Sequence, residues 1–337
     1  MSHSPMSRSR RQFFGQMAGG VALAAMPQAA FAQAGSAQDS YPSRPVRWVL
    51  GYTTGGTTDV ISRLVTQPLT ERLGQPFVIE PRPGAGTNLA AEYVVRATPD
   101  GYTLLFVGAP NAINPALYAK LNFDFVRDIA PVAAIASVPM VPIVHPSVPA
   151  TTIPEFIAYA RANPKQVNMA SSGVGTTPHL AGELFRMMAS VDIQHVPYRG
   201  SVPAMTDVIS GQIPMMMVDL AVAMGNIQEG KLKVYGVTSA TRIKAMPDVP
   251  TIAEAGLPGF AATGWFSVVT RAGTPRPVID KINGVLMPYL KRPEVQDKLN
   301  AAAITPLTST PDELAKFIPA EIEKWAKVVK DAGIEPQ

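Results

Sequence analysis

The sequence predicts an α/β protein in which strands and helices alternate along the chain. Three observations carry this. Apolar runs of strand length, such as Val46-Arg47-Trp48-Val49-Leu50, alternate with segments whose apolar residues recur at helical spacing, such as Val60, Ile61, Leu64, Val65 and Leu69. The joints are rich in glycine and threonine, and 33 prolines in 337 residues suit many short strand–helix connections. The chain is 47% hydrophobic and only 16% charged, which allows a sizeable core and argues against disorder.

The first 32 residues read as an export signal. Arg8, Arg10 and Arg11 are basic, no acidic residue precedes Asp39, and an apolar, alanine-rich run covers Met17 to Ala25. Ala30-Phe31-Ala32 fits the small-x-small rule for cleavage, which leaves Gln33 as the new N-terminus. The run is shorter than the roughly 20 residues that span a bilayer. Ser9-Arg10-Arg11-Gln12-Phe13-Phe14 resembles a twin-arginine export signal. Loss of those three arginines takes the net charge from +4 to about +1. That is no electrostatic footprint for nucleic acid or a membrane surface. The chain has no cysteine, so disulfides, thiolate metal sites, a cysteine nucleophile and a lipid anchor on an N-terminal cysteine are all excluded.

After a polar leader over 33–43 the elements follow in order. Val46–Leu50 is a strand, 59–73 a helix ended by Gly74, and 77–79 a strand. A helix over 89–97 stops at the turn Thr98-Pro99-Asp100-Gly101, and 102–107 is a third strand. The apolar stretch 132–144 is a strand that leaves the first domain. The same grammar then restarts: helix 153–163 with Thr152 as a candidate cap, strand 166–170, helix 178–189, strand 193–198, helix 201–210, strand 213–218 and strand 233–239. A last section holds strand 265–270 and helices opening at Gly273-Thr274-Pro275, Pro293 and Pro311. Alternation of this kind indicates βαβ units and mostly parallel sheets.

Three loops share one pattern of strand, Gly/Thr-rich turn and helix: 51–58, 82–88 and 171–177. Each leaves free backbone N–H groups at a helix start, where the dipole favours an anion, and the hydroxyls add donors. None contains a lysine after the glycines, so none is a P-loop. Gly84-x-Gly86 and Gly173-x-Gly175 lack the third glycine of a dinucleotide fingerprint. Three converging ends of this type suit a carboxylate.

Catalytic and metal-binding sets are poor. No Gly-x-Ser-x-Gly elbow occurs, and His145, His179 and His195 have no metal-ligand spacing. His179, just inside the helix after the third loop, either faces a ligand or packs locally. His195, in a strand, reads as a satisfied core histidine. Asp219 ends a strand after Met215-Met216-Met217-Val218, where it lines a cleft, bonds a ligand or caps a loop. Asp59 reads as a helix N-terminal acid, with ligand contact the alternative. The methionines, with Met205 and Met224, read as adaptable core packing. No metal or cofactor is expected. An exported hydrolase using Ser171, Ser172 or Thr57 with His179 as base is the competing enzyme reading, and it lacks a carboxylate to orient the base.

Several motifs recur in order: Tyr41-Pro42-Ser43-Arg44-Pro45-Val46, Gly55-Gly56-Thr57-Thr58-Asp59, Arg82-Pro83-Gly84-Ala85-Gly86, Pro99-Asp100-Gly101-Tyr102, His195-Val196-Pro197-Tyr198-Arg199-Gly200 and Pro247-Asp248-Val249-Pro250-Thr251. Together they resemble the Bug, or tripartite tricarboxylate transporter, family of periplasmic solute-binding proteins, over essentially the whole mature chain. The resemblance implies a two-domain "Venus flytrap" with a ligand cleft between domains. One domain would combine residues 41–142 with 265–337, and the other would hold 143–264. It implies that a small organic carboxylate is held, partly through water, by Tyr52, Thr53, Thr54, Gly55, Gly56, Thr57 and Asp59 in the first loop. Gly86, Thr87 and Asn88 would serve in the second loop. Ser171, Ser172, Gly173, Gly175, Thr176, Thr177 and His179 would face them, with Tyr198, Arg199 and Asp219 as further walls. A periplasmic, non-enzymatic monomer serving a membrane permease is expected, with a ligand sensor for a membrane signalling partner as the alternative. Two departures sit beside the presumed pocket. Thr54 stands where members often carry proline, and Pro81 where they usually carry asparagine before Arg-Pro-Gly.

Overall fold

The computed structural model describes residues 41–52, 57–198 and 200–336. The export-signal reading of residues 1–32, and Thr53, Thr54, Gly55, Gly56 and Arg199, lie outside the described residues.

Two sheets share one long strand. In the first, β1 (Val46–Leu50) lies between β2 (Phe77–Pro81) and β3 (Thr103–Gly108), parallel to both. β9 (Thr263–Arg271) runs antiparallel to β3, and β4 (Ile129–Val144) antiparallel to β9. The second sheet has the order β4, β7 (Met215–Asp219), β5 (Asn168–Ser171), β6 (Gln194–Pro197). β5 is parallel to both neighbours, whereas β4 and β7 are antiparallel. The alternation expected from sequence holds, but the sheets are mixed rather than mostly parallel. Parallel pairing is confined to the βαβ units. The strands that carry the chain between sheets run against their neighbours.

β4 is buried along nearly all of its 16 residues, as a strand covered on both faces should be. Its pairing with β9 ends at Pro139, opposite Thr263, and its pairing with β7 begins one residue later at Met140, opposite Asp219. Pro139 has no N–H to donate, so a ladder ending there loses little. Two short strands complete the edges: β8 (Lys233–Val234) and β10 (Thr305–Pro306), both on β4. The strand expected over 233–239 stops early. Gly236 is pressed against Ile252, and Thr238 turns to Met140, its Oγ1 accepting from Met140 N at 3.0 Å and its N donating to Met140 O at 2.9 Å.

Helices α1 (Thr57–Leu73), α2 (Asn88–Val95) and α3 (Ala109–Leu117) follow β1, β2 and β3. Helices α4 (Ile153–Ala162), α5 (Thr177–Ala189), α6 (Ser201–Ile209) and α7 (Leu220–Gln228) serve the second sheet. The C-terminal section adds α8 (Arg276–Leu290), α9 (Pro293–Ala301) and α10 (Pro311–Asp331). Thr152 caps α4 as expected, its side chain accepting from Glu155 N. α3 and α7 were not legible as helices. In α3, Pro110, Asn111, Asn114 and Pro115 dilute the apolar spacing. Asn111 nevertheless fastens its start by accepting from Gly108 N at 3.0 Å.

One core cluster runs through both sheets, from Leu105 and Ile113 through Met140 to Phe156, Leu180 and Trp325. α10 closes it from below. Trp265 and Trp325 both donate their indole N–H to Glu321 Oε2, at 2.8 and 3.0 Å, and all three side chains are buried. Met215, Met216 and Met217 are fully buried, which bears out their reading as core.

Candidate ligand-binding site

The three Gly/Thr-rich loops meet. Gly51 and Tyr52 from the first, Gly84, Gly86 and Thr87 from the second, and Val174, Gly175 and Thr176 from the third line one cavity of about 280 Å³. Strand-to-helix geometry produces this. Each loop leaves the C-terminal end of a parallel strand, and a crevice outside such ends is where open α/β sheets bind ligands. The first two loops are in direct contact, since a Cβ on Gly51 would lie 2.8 Å from Thr87 Cβ. The third reaches across to α3, where a Cβ on Gly175 would lie 2.4 Å from Leu117 Cδ1. No lysine or arginine is among the described residues lining the cavity.

The second loop is held in an unusual backbone. Ala85, Gly86 and Thr87 all have positive φ (46°, 59° and 80°). This is strained for alanine and more so for a β-branched residue. Asn114 of α3 holds the loop in that shape, donating from Nδ2 to Gly86 O at 2.7 Å and to Asn88 Oδ1 at 2.8 Å. Thr87 and Asn88 are 6% and 7% exposed, yet Thr87 Oγ1 and Asn88 Nδ2 have no hydrogen-bond partner among the described residues. Tyr52 Oη is in the same condition, its ring edge-on to Phe266. Buried polar atoms are rarely left so. Tyr52 and Thr87 both line the cavity, and Asn88 directly follows Thr87 in the chain.

Asp219 stands at the end of β7. Burial raises the Tyr52 phenol well above its ordinary range, and the nearby Asp219 charge raises it further. Burial of its carboxyl raises Asp219 itself to about 6, although the residue keeps part of its surface open. Asp219 pairs with Met140 where β4 passes from one sheet to the other, close enough to Tyr52 for its charge to be felt there.

The third loop spends most of its polar groups on itself. Thr176 caps α5: its Oγ1 accepts from His179 N and donates to Gly173 O at 2.7 Å. Ser172 Oγ donates to Thr176 Oγ1 at 3.3 Å. Gly175 N donates to His179 Nδ1 at 3.0 Å, which leaves the His179 proton on Nε2, 3.9 Å from Glu183 Oε1. The His179 ring is stacked on His195 with centroids 3.8 Å apart, and His195 Nε2 lies 2.6 Å from Ser171 Oγ. Burial lowers His179 to about 3, with repulsion from His195 adding to it, and burial lowers His195 to about 4. Both rings are neutral supports beneath the loop. Ser171 is fully buried, and its hydroxyl is spent on His195 and on the turn at Gly173.

The remaining expected residues lie further out. Asp59 accepts from Arg63 Nε at 3.1 Å in the first turn of α1, next to half-buried Thr57. Thr177 is buried in the first turn of α5. Tyr198 donates its hydroxyl to Asp207 Oδ2 at 2.5 Å, a bond that raises the phenol to about 12. Residues of α3 and its exit (Pro110, Asn114, Leu117 and Tyr118) line the cavity and were missed. The one signal for them was the pair Asn111 and Asn114, three apart after a strand.

A cavity between strand-end loops of two sheets joined by a shared strand suits a solute-binding receptor. Comparison with known proteins gives its family. Residues 61–334 match the tripartite tricarboxylate transporter family receptor, and the chain belongs to that family. BugT of Bordetella pertussis is 33% identical over 297 residues, covering 88% of this chain and 91% of that protein. Rpa4515 of R. palustris, solved with adipate, is 36% identical with a TM-score of 0.76, covering 88% of this chain and 100% of that one. MatC from Rhodopseudomonas palustris, solved with bound malate, is 32% identical with a TM-score of 0.71, covering 86% and 100%.

Proposed function

We propose that this chain is an exported receptor that captures a small organic carboxylate between its two sheets and presents it to a membrane permease. The observation that carries this is the meeting of three lysine-free, Gly/Thr-rich loops around one cavity, with Tyr52 Oη and Thr87 Oγ1 of its lining unpartnered among the described residues. A carboxylate there is held by hydrogen bonds and helix N-termini rather than by a counter-ion. That suits a carrier which must release its cargo. Relatives solved with adipate and malate support the same ligand class.

Residues 41–142 with 265–337 form one lobe and 143–264 the other. They close about β4 and β9, a hinge closure around ligand. The partner change at Pro139 and Met140 supports that division. The protein acts as a monomer in the periplasm after cleavage behind Ala32. No described helix is long and apolar enough to cross a membrane.

Thermal-shift and calorimetric screening of the mature chain against mono-, di- and tricarboxylates and aromatic acids tests the reading. A ligand at 100 times its Kd stabilises by about 2.7 kcal/mol. A broad panel that produces no stabilisation sinks it.

A further inference from the structure

Asn114 decides which polar atom the α3 wall of the cavity presents. Its Nδ2 donates to a backbone carbonyl, Gly86 O, which can only accept. That bond fixes the orientation of the amide, and the second amide hydrogen goes to Asn88 Oδ1. Both donors of Asn114 are therefore consumed, and Oδ1 is left as a pure acceptor with no partner among the described residues. Its position is known from Gly86, whose missing Cβ would lie 3.3 Å from Asn114 Oδ1 and 2.9 Å from Tyr118 Oη. Both oxygens pack closely on the bare face of Gly86, and Gly86, Asn114 and Tyr118 all line the cavity.

A carboxylate oxygen against Asn114 Oδ1 would set acceptor against acceptor in a nearly buried place, as Asn114 is only 4% exposed. A hydroxyl or ammonium there donates to it. We propose that Asn114 Oδ1, beside the Tyr118 hydroxyl, is a specificity-determining acceptor, so that the site takes a carboxylate which also carries a hydrogen-bond donor on its chain. This rests on the carboxylate reading above. It separates the two ligand types named for the relatives: malate carries such a hydroxyl and adipate does not. The same amide chain leaves Asn88 Nδ2 as a donor, so the wall offers an acceptor and its support a donor, a polarity set by one backbone carbonyl.

Calorimetry on the mature chain with matched acids provides the test: succinate, malate and aspartate; then glutarate, 2-hydroxyglutarate and glutamate; then adipate and 2-aminoadipate. In at least one set the hydroxy or amino acid binds about tenfold or more tightly than its plain counterpart, since a site built to bond a donor rejects the analogue lacking it. The hydroxy and amino members show which donor is taken. Asn114→Ala then collapses that ratio toward one. A purely structural role for Asn114 would weaken both members of a pair equally and leave the ratio intact, which overturns the proposal. Should Asn114→Ala fail to fold, the wild-type ratios decide alone. Plain diacids binding as tightly as their substituted partners in every set overturn the proposal and leave the carboxylate reading standing. Binding of none of these acids, together with none in the wider panel, removes both.

Discussion

Replacing Thr87 by valine separates stability from binding, with opposite signs. The Thr87 hydroxyl is buried, 6% of the residue is exposed, and Oγ1 has no partner among the described residues. A buried unsatisfied hydroxyl costs about 1–3 kcal/mol, and an isosteric apolar group removes that cost. Valine keeps the methyl that packs on Gly51, and it is β-branched like threonine, so the strain at φ 80° is unchanged. Thr87→Val therefore stabilises the unliganded protein by about 1 kcal/mol or more. Guanidinium unfolding reads this as a higher midpoint at constant slope. With ligand the sign reverses. Loss of a hydrogen bond to a carboxylate costs about 1.5–3 kcal/mol, or roughly 10- to 100-fold in Kd by calorimetry. A lower unliganded midpoint for Thr87→Val, or unchanged affinity for the best acid found, refutes the assignment of Thr87 Oγ1 as a ligand-facing group.

Three other predictions follow from the same geometry. Gly175→Ala puts a side chain at φ +74° and a Cβ 2.4 Å from Leu117 Cδ1. The backbone costs about 1–2 kcal/mol and the displaced leucine rotamer about 0.5–1.5. Affinity falls, and a double-mutant cycle with Leu117→Ala shows coupling; independent effects contradict the contact. Glu321→Leu leaves the Trp265 and Trp325 N–H groups buried and unpaired, so the unfolding midpoint falls by an amount worth about 2–4 kcal/mol, whereas a surface glutamate change such as Glu323→Ala moves it little. His179 and His195 have folded pKa values of about 3 and about 4, below the ordinary 6.5, so the unfolded chain takes up more protons. Their contribution is intact above pH 6.5 and is lost progressively as pH falls through about 4 for His195 and about 3 for His179. By pH 5 the loss from His179 is roughly 2 kcal/mol, with less from the more open His195. Chemical denaturation across pH 4–7 shows this slope, and His179→Gln combined with His195→Gln flattens it.

The elements and the loops were legible for a local reason. Strand, Gly/Thr turn and helix start follow each other directly, so each loop carries its own signature. Their meeting at one cleft was implied by the family resemblance rather than by the loops themselves, and Tyr52, Gly86, Thr87, Gly175 and Thr176 do line one cavity. What each hydroxyl does was not legible. Ser172 and Thr176 look like Thr87 in sequence, but they are tied into their own turn while Thr87 Oγ1 is left unpartnered. His179, just after the third loop, read either as a ligand contact or as local packing, and the sequence could not separate the two. Its Nδ1 accepts from Gly175 N–H, a local contact that only the folded loop reveals. Asn114 was missed because its role depends on Gly86, 28 residues earlier, and no local pattern encodes a bond over that distance. The mixed sheets were missed likewise, since strand direction in β4 and β9 is set by where the chain crosses.

The shared strand β4 has a consequence for how such receptors diversify. The chain leaves the first sheet at Pro139 within β4 and returns to it at Thr263, the first residue of β9, and those two residues are paired. Everything between them is a cassette on adjacent anchors. A relative's cassette can be grafted there without lengthening either strand, and one wall of the pocket would be exchanged while the Asn114 wall stays in place. Recombination at these two sites would thus assort half-pockets as independent heritable units.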